Sequence, residues 1–307
     1  MDNNARYQNF LKNIYVGING ELYSPEDAKI SVFDRGFLFG DSIYEVTYGE
    51  NGKLIFFEDH IERLYNSARL LNMEIFISKE DIMKQTLQTL KAAQIPDAYV
   101  RIILTRGESE LSLDPNLSYH NNLITIVKPK PIYSDKLYSH GLHLIISDVL
   151  RNDRRSTNPN AKSGNYLNNV MAHQQAKEKK ADDAIMVNHE GHITEGTSFN
   201  IWCVKNGVIY TPPEKSGLLK GITRQKVIGI CREKDFNLKI DNFTPEFILN
   251  ADEVFITSST KGLMPVFKLN ETTINETAQD RPVMSELQKY YNKIIEIELA
   301  RDEYCYF

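Results

Sequence analysis

Residues 128–132 read Lys128-Pro129-Lys130-Pro131-Ile132. Proline has a fixed φ and no amide hydrogen, so two of them this close cannot lie inside a helix or a central strand. The stretch predicts a break in the fold: a first domain over residues 1–130, a linker over 131–137 and a second domain over 138–307. A chain of 307 residues with 41% hydrophobic content can fill two cores of that size.

Upstream of the break, Ile14–Ile18 and Glu21–Tyr23 flank Asn19-Gly20, a two-residue turn whose positions both accept positive φ, and predict a hairpin. A second hairpin is expected from Ile43–Tyr48 and Leu54–Phe57 around Glu50-Asn51-Gly52. Ile61, Leu64, Ala68 and Leu71 recur at helical spacing, which predicts a helix over Glu58–Leu71 with Arg63 off its apolar stripe. A helix over Lys79–Ala93 and strands over Tyr99–Thr105 and Leu123–Val127 complete this half.

Downstream, Leu142–Ile146, Ala184–Asn188 and Val254–Thr257 read as strands, and Ile201–Val204 with Val208–Tyr210 as a hairpin about Asn206-Gly207. Helices are expected over Asn165–Lys179, Thr223–Arg232 and Ser285–Ala300, and Thr244-Pro245-Glu246 has cap, proline and acid in helix-start order. Strands and helices do not alternate strictly, so the pattern predicts a mixed α/β or α+β fold rather than a doubly wound sheet.

A formal net charge of -5 supplies no basic stripe for nucleic acid or an anionic membrane. Cys203, Cys231 and Cys305 are odd in number and widely spaced, which predicts neither disulfides nor a thiolate metal site and fits a reducing cytoplasm. The seven histidines show no tight ligand spacing, so no metal site is expected. Met1–Asn13 is polar and reads as neither a leader nor a membrane span, and no later segment is apolar enough to span.

Some stretches point to anions. Gly221-Ile222-Thr223-Arg224 opens an apolar helix, where free amides, a close-approach glycine and a threonine cap suit a phosphate; an ordinary turn and cap would look the same. Thr257-Ser258-Ser259-Thr260 follows a buried strand and offers hydroxyls to an anion or to a neighbouring helix. Arg63 could bind phosphate or pair with a nearby acid such as Glu62. Lys162, before a helix, could be a nucleophile if desolvated, or a solvated surface lysine. Glu195 sits in a loop-like Thr194-Glu195-Gly196-Thr197 segment.

Six ordered segments together resemble the class IV (fold type IV) aminotransferases, a group that includes branched-chain and D-amino acid aminotransferases and aminodeoxychorismate lyase. They are Asp34-Arg35-Gly36 with Phe39-Gly40-Asp41 and Tyr44-Glu45; His60 to Leu64; Lys162 with Asn165-Tyr166-Leu167-Asn168-Asn169; Thr194-Glu195-Gly196 with Asn200; Leu219 to Arg224; and Val254 to Thr257 with Pro265-Val266. The resemblance runs from about Tyr15 to about Val266. It implies a smaller N-terminal α/β domain, a larger C-terminal domain, and pyridoxal 5'-phosphate held between them.

By the same resemblance, Lys162 is the Schiff-base lysine and proton carrier, and Glu195 lies beside the pyridine nitrogen. Arg63, Gly221, Ile222, Thr223, Ser259 and Thr260 would hold the phosphate, Tyr166 would approach the ring's phenolic oxygen, and Asn200 would join the cofactor set. Phe39, Tyr44, Arg101 and Lys261 are the substrate candidates. The segments around Tyr99-Val100-Arg101 and Leu113-Asp114-Pro115 look most like branched-chain members, which implies ping-pong transfer from a hydrophobic L-amino acid to 2-oxoglutarate by a cytoplasmic homodimer. Thr260-Lys261-Gly262-Leu263-Met264-Pro265 departs from that pattern toward the lyases. The alternatives are therefore aminodeoxychorismate lyase, a D-amino acid aminotransferase and, more remotely, a non-catalytic metabolite-binding protein.

Overall fold

The computed structural model describes residues 3–275, 277 and 280–307. The chain divides into two compact units. The first comprises Met1–Pro131, Ala161–Asn165 and Ile297–Phe307, and the second Ile132–Asn160 and Tyr166–Glu296. The break at Pro131 coincides with the paired prolines. Two stretches that the sequence reading placed in the 138–307 domain, around Lys162 and at the C-terminal end, instead join the first unit.

The first unit is built on a six-stranded sheet of β1 (Tyr15–Ile18), β2 (Glu21–Tyr23), β3 (Ser42–Glu50), β4 (Lys53–Leu54), β5 (Ala98–Thr105) and β6 (Asn122–Pro129), in the order β2-β1-β6-β5-β3-β4. Every pairing is antiparallel. Its helices are α1 (Asn3–Leu11), α2 (Arg35–Phe39), α3 (Phe57–Leu70) and α4 (Lys79–Ala93). Residues 1 and 2 of the polar N-terminal stretch lie outside the described residues.

The Asn19-Gly20 hairpin forms as expected, with Asn19 at φ 52° and Gly20 at φ 88°. The second expected hairpin is shorter: β4 ends at Leu54 and α3 begins at Phe57. Phe56 turns the chain there in the left-handed region, so the apolar run Ile55-Phe56-Phe57 enters the core from a turn and a helix start rather than from a strand.

On β5, Ala98, Val100, Ile102 and Leu104 are fully buried, while Tyr99, Arg101 and Ile103 are half-buried. Ile61, Leu64 and Ala68 of α3 and Ile82 and Leu90 of α4 share a core with that buried set. Period-two alternation thus dedicates one face of β5 to the core and leaves the other half-buried.

The second unit holds a mixed nine-stranded sheet. Its strands are β7 (Leu142–Ile146), β8 (Asp183–Val187), β9 (Ile193–Gly196), β10 (Asn200–Lys205), β11 (Val208–Thr211), β12 (Leu238–Ile240), β13 (Glu253–Ser258), β14 (Gly262–Leu269) and β15 (Thr272–Thr273). The order is β12-β11-β10-β13-β14-β7-β8-β9, with β15 on β14. Its helices are α5 (Asp135–Ser139), α6 (Leu167–Glu178), α7 (Ile222–Glu233) and α8 (Pro245–Leu249), with α9 (Pro282–Ala300) closing the series.

Two strands here depart from the sequence reading. Thr194-Glu195-Gly196 is not a loop but the buried end of β9, because pairing with β8 supplies the ladder that a four-residue segment cannot show alone. β14 was hidden by Pro265, which stands opposite Phe255 on β13; the parallel ladder with β7 begins only at Val266, so the missing amide is tolerated.

Candidate active site

The first unit takes up Lys162 by backbone stitching. Tyr44 N–H donates to the Lys162 carbonyl at 2.9 Å, Gly164 N–H to Ser42 O at 2.8 Å, and Lys162 N–H to Ser67 Oγ at 3.1 Å. Ile43 and Ser163 form an isolated antiparallel bridge. The half-buried Lys162 amine then lies 4.4 Å from the centre of the Tyr44 ring and 3.4 Å from its hydroxyl oxygen. The Arg101 guanidinium faces the same ring at 4.6 Å. Two cations therefore share one aromatic side chain, which leaves both held at the open face of the sheet.

Next to Tyr44 on the strand, Glu45 points to the opposite side and is fully buried. Its carboxylate accepts from Arg63 Nε and Nη2, each at 2.7 Å, and stands 2.7 Å from Nδ1 of the buried His60. Arg63, read as a phosphate ligand or the partner of a nearby acid such as Glu62, pairs inward with Glu45, and Glu62 takes Lys79. Burial alone would raise the Glu45 pKa, but the charge and hydrogen bonds of Arg63, with those of His60, outweigh it and bring the value down to about 2. Burial lowers the pKa of His60, against the opposing pull of Glu45.

In the second unit, Glu195 is buried and its carboxylate is surrounded by donors. Arg151 Nη2 reaches Oε1 at 3.0 Å, while Oε2 accepts from the Leu219 amide at 3.0 Å and from Asn200 Nδ2 at 3.4 Å. Arg151 Nη1 also contacts Asn168 and Asn169 on α6. Neither Arg151 nor Glu45 was read as functional from the sequence, since each finds its partner only through the fold; an arginine on one side and an acid on the other, far apart in the chain, leave no local pattern.

Helix α7 opens at Gly221, and Thr223 is not its cap: the Gly221 N-cap position makes no side-chain cap bond. The Thr223 hydroxyl is buried in the first turn without a hydrogen-bond partner. A Cβ at Gly221 would collide with the Asn200 carboxamide, so a larger residue there would have to displace that side chain. A buried hydroxyl without a partner beside the free amides of a twelve-residue helix is the signature of a place built for an anion. Ser259 and Thr260 lie in the turn after β13. Burial lowers the pKa of Lys261, whose amine is 5.7 Å from the Phe199 ring and 5.8 Å from that of Tyr133.

A family model described as amino-transferase class IV matches residues 42–269. The chain belongs to the class IV aminotransferases. Pyridoxal phosphate is the cofactor of that class, and this class IV aminotransferase is accordingly a pyridoxal-phosphate-dependent enzyme. It is 38% identical over 258 residues to a putative branched-chain-amino-acid aminotransferase of Methanocaldococcus jannaschii, covering 84% of this chain and 88% of that one. It is also 34% identical over 281 residues to a D-alanine aminotransferase of Staphylococcus aureus strain N315, covering 91% and 97%. A branched-chain aminotransferase of Thermoproteus uzoniensis, solved with norvaline, superposes with a TM-score of 0.84 at 26% identity over 93% of this chain and 97% of that one.

The residues of this class IV aminotransferase fit the cofactor chemically. The unpartnered Thr223 hydroxyl and the α7 amides suit a phosphate, Glu195 offers a carboxylate bonded by Arg151, the Leu219 amide and Asn200, and Lys162 offers an amine against an aromatic ring. Of the expected site residues, the first unit brings together Tyr44, Arg63, Arg101 and Lys162, and the second contains Tyr166, Glu195, Asn200, Gly221, Ile222, Thr223, Ser259, Thr260 and Lys261. Phe39 is more exposed than the rest; its ring stacks on the buried Arg35 guanidinium at 5.1 Å. Among the described residues no cluster of three or more metal-ligating side chains occurs, and no helix is long and apolar enough to cross a membrane.

Proposed function

We propose that this enzyme moves the amino group of a hydrophobic L-amino acid, of the branched-chain type, to 2-oxoglutarate by a ping-pong mechanism at Lys162. The observation that carries the reading is the composition of the open face of the first sheet. There Val46, Ile103 and Ile126 alternate with Tyr44 and Arg101, so apolar contacts and one cation serve the same face as the lysine. A ping-pong enzyme needs such a face, because one site must take an apolar side chain in one half-reaction and a second carboxylate in the other.

The cofactor supplies an electron sink for the bond broken at the substrate α-carbon. Lys162 would anchor it and would carry the substrate's α-proton, and the neighbouring Tyr44 ring covers one side of the amine. Glu195, bonded by Arg151 and the Leu219 amide, would stand beside the ring nitrogen and favour a proton there. Arg63, the backbone of Gly221 and Ile222, Thr223, Ser259 and Thr260 would hold the phosphate, Tyr166 and Asn200 would orient the ring, and Phe39 and Lys261 would border the substrate.

The active form is a homodimer. Val32, Phe33, Phe37, Leu111 and Leu113 are between 50% and 78% exposed on the first unit, an apolar cost that a second copy removes. The buried free thiols Cys203 and Cys231 suit a reducing cytoplasm.

Absorbance and turnover test the reading. Cofactor-loaded protein should lose its visible band on adding L-leucine, and Lys162→Ala should lower turnover by about four orders of magnitude. A response to D-alanine in place of L-leucine would overturn the substrate and side with the D-alanine aminotransferase relatives. Pyruvate released from aminodeoxychorismate without an oxo-acid acceptor would overturn the transfer reaction.

A further inference from the structure

The open face of the first sheet carries one more cation than a five-carbon acceptor needs. Cross-strand register sets Tyr99 on β5 opposite Lys128 on β6, and Arg101 opposite Ile126. The Lys128 amine lies 5.0 Å from the centre of the Tyr99 ring, and the Tyr99 hydroxyl accepts from Arg101 Nε at 3.2 Å. Arg101 in turn faces Tyr44, which faces Lys162. The result is a row of cations and tyrosines leading away from the lysine: Lys162, Tyr44, Arg101, Tyr99, Lys128.

Charge balance separates this row from its surroundings. Lys130, two residues past Lys128, also covers a tyrosine, but it is matched by Glu50 at 2.8 Å. Arg63 is matched by Glu45. Neither Arg101 nor Lys128 has an acid within ion-pair distance among the described residues, although both are half-buried. Two neighbouring cations without an acid repel each other where solvent is partly excluded, and an anionic ligand relieves that repulsion.

We propose that Lys128 is a specificity-determining residue that binds the distal carboxylate of dicarboxylic substrates longer than 2-oxoglutarate, Arg101 serving the shorter ones. The inference rests on the reading that substrates lie on the face carrying Lys162. Lys128 stands two residues further along its strand than the position facing Arg101, a step of about 7 Å. The Lys128 amine stands by the Tyr99 ring, whose hydroxyl meets Arg101, so each methylene added to the substrate beyond Arg101 would bring the second carboxylate toward it.

Calorimetry on the cofactor-loaded protein with two unreactive dicarboxylates, glutarate and adipate, separates the possibilities. Lys128→Gln should weaken adipate by about tenfold and glutarate clearly less, with Lys128→Arg restoring adipate. In turnover, Lys128→Gln should lower the ratio of kcat/KM for 2-oxoadipate over 2-oxobutanoate by a similar factor. Equal weakening of both dicarboxylates, or no weakening of either while Arg101→Gln weakens both, would overturn the role of Lys128. If Arg101→Gln and Lys128→Gln both leave adipate affinity unchanged, the substrate face itself is wrongly assigned and the wider reading falls with it.

Discussion

Both units bury an arginine–glutamate pair, and the two differ in what else surrounds the acid. In the first unit the glutamate is the hidden member: Glu45 is inaccessible and Arg63, 11% exposed, is the member left near the surface. In the second unit Glu195 is gripped by Arg151 and bonded further by an amide and a carboxamide. A buried charge is thus kept for use only when its partners can hold it without help from water. A histidine does this beside Glu45, and neutral donors do it around Glu195.

The contrast is tested hardest at the first pair. Glu45→Ala removes the anchor of Arg63 and the partner of His60, and should cost about 3–5 kcal/mol in urea unfolding. A loss under about 1 kcal/mol would mean that the pair is no anchor. The same pair sets an acid limb. Glu45 has a folded pKa below its usual 4.5, so its stabilisation is complete above that value and is lost as pH falls toward about 2. His60, lowered by burial, adds loss on acidification below its usual 6.5. Glu45→Gln should therefore flatten the stability profile between about pH 4.5 and 2.

Arg151→Gln should cost less, about 1–3 kcal/mol, because the Leu219 amide and Asn200 still hold Glu195. A loss as large as that of Glu45→Ala would erase the distinction between the two pairs. Its cofactor affinity should fall as well, measured by titrating pyridoxal phosphate into the cofactor-free protein. Smallest in stability is Thr223→Val. The hydroxyl has no partner to lose, so cofactor-free stability should change by less than about 0.5 kcal/mol, while affinity for the phosphorylated cofactor should drop about tenfold. Unchanged affinity would remove Thr223 from the phosphate site.

The sequence was most readable where the physics is local. The Asn19-Gly20 turn and the Ile61-Leu64-Ala68 stripe each act through neighbours, and each appears where expected. Lys162, Glu195 and the Gly221 turn needed the family pattern, since a lysine or glutamate in isolation reads as surface. What stayed hidden depends on partners distant in the chain: Arg151 on Glu195, Glu45 on Arg63, β9 on β8, and β14 with a proline that its later ladder tolerates. Lys128 was quoted only as part of a proline-rich boundary, because its significance lies in the acid it lacks.

The segment Ala161–Asn165 joins the first unit far from the rest of that unit in the chain, as does Ile297–Phe307, where Tyr306 donates from its amide to Gly52 and from its hydroxyl to Pro96. Loop closure over such separations grows only logarithmically in free energy, so the penalty at equilibrium is modest. The kinetic consequence is larger. Contacts this distant slow folding, and the edge of β3 that receives Ser163 waits until the intervening chain has been ordered. Lys162 is thus expected to be seated late, and a fragment ending at Pro131 would lack the Ser163 backbone that bridges to Ile43.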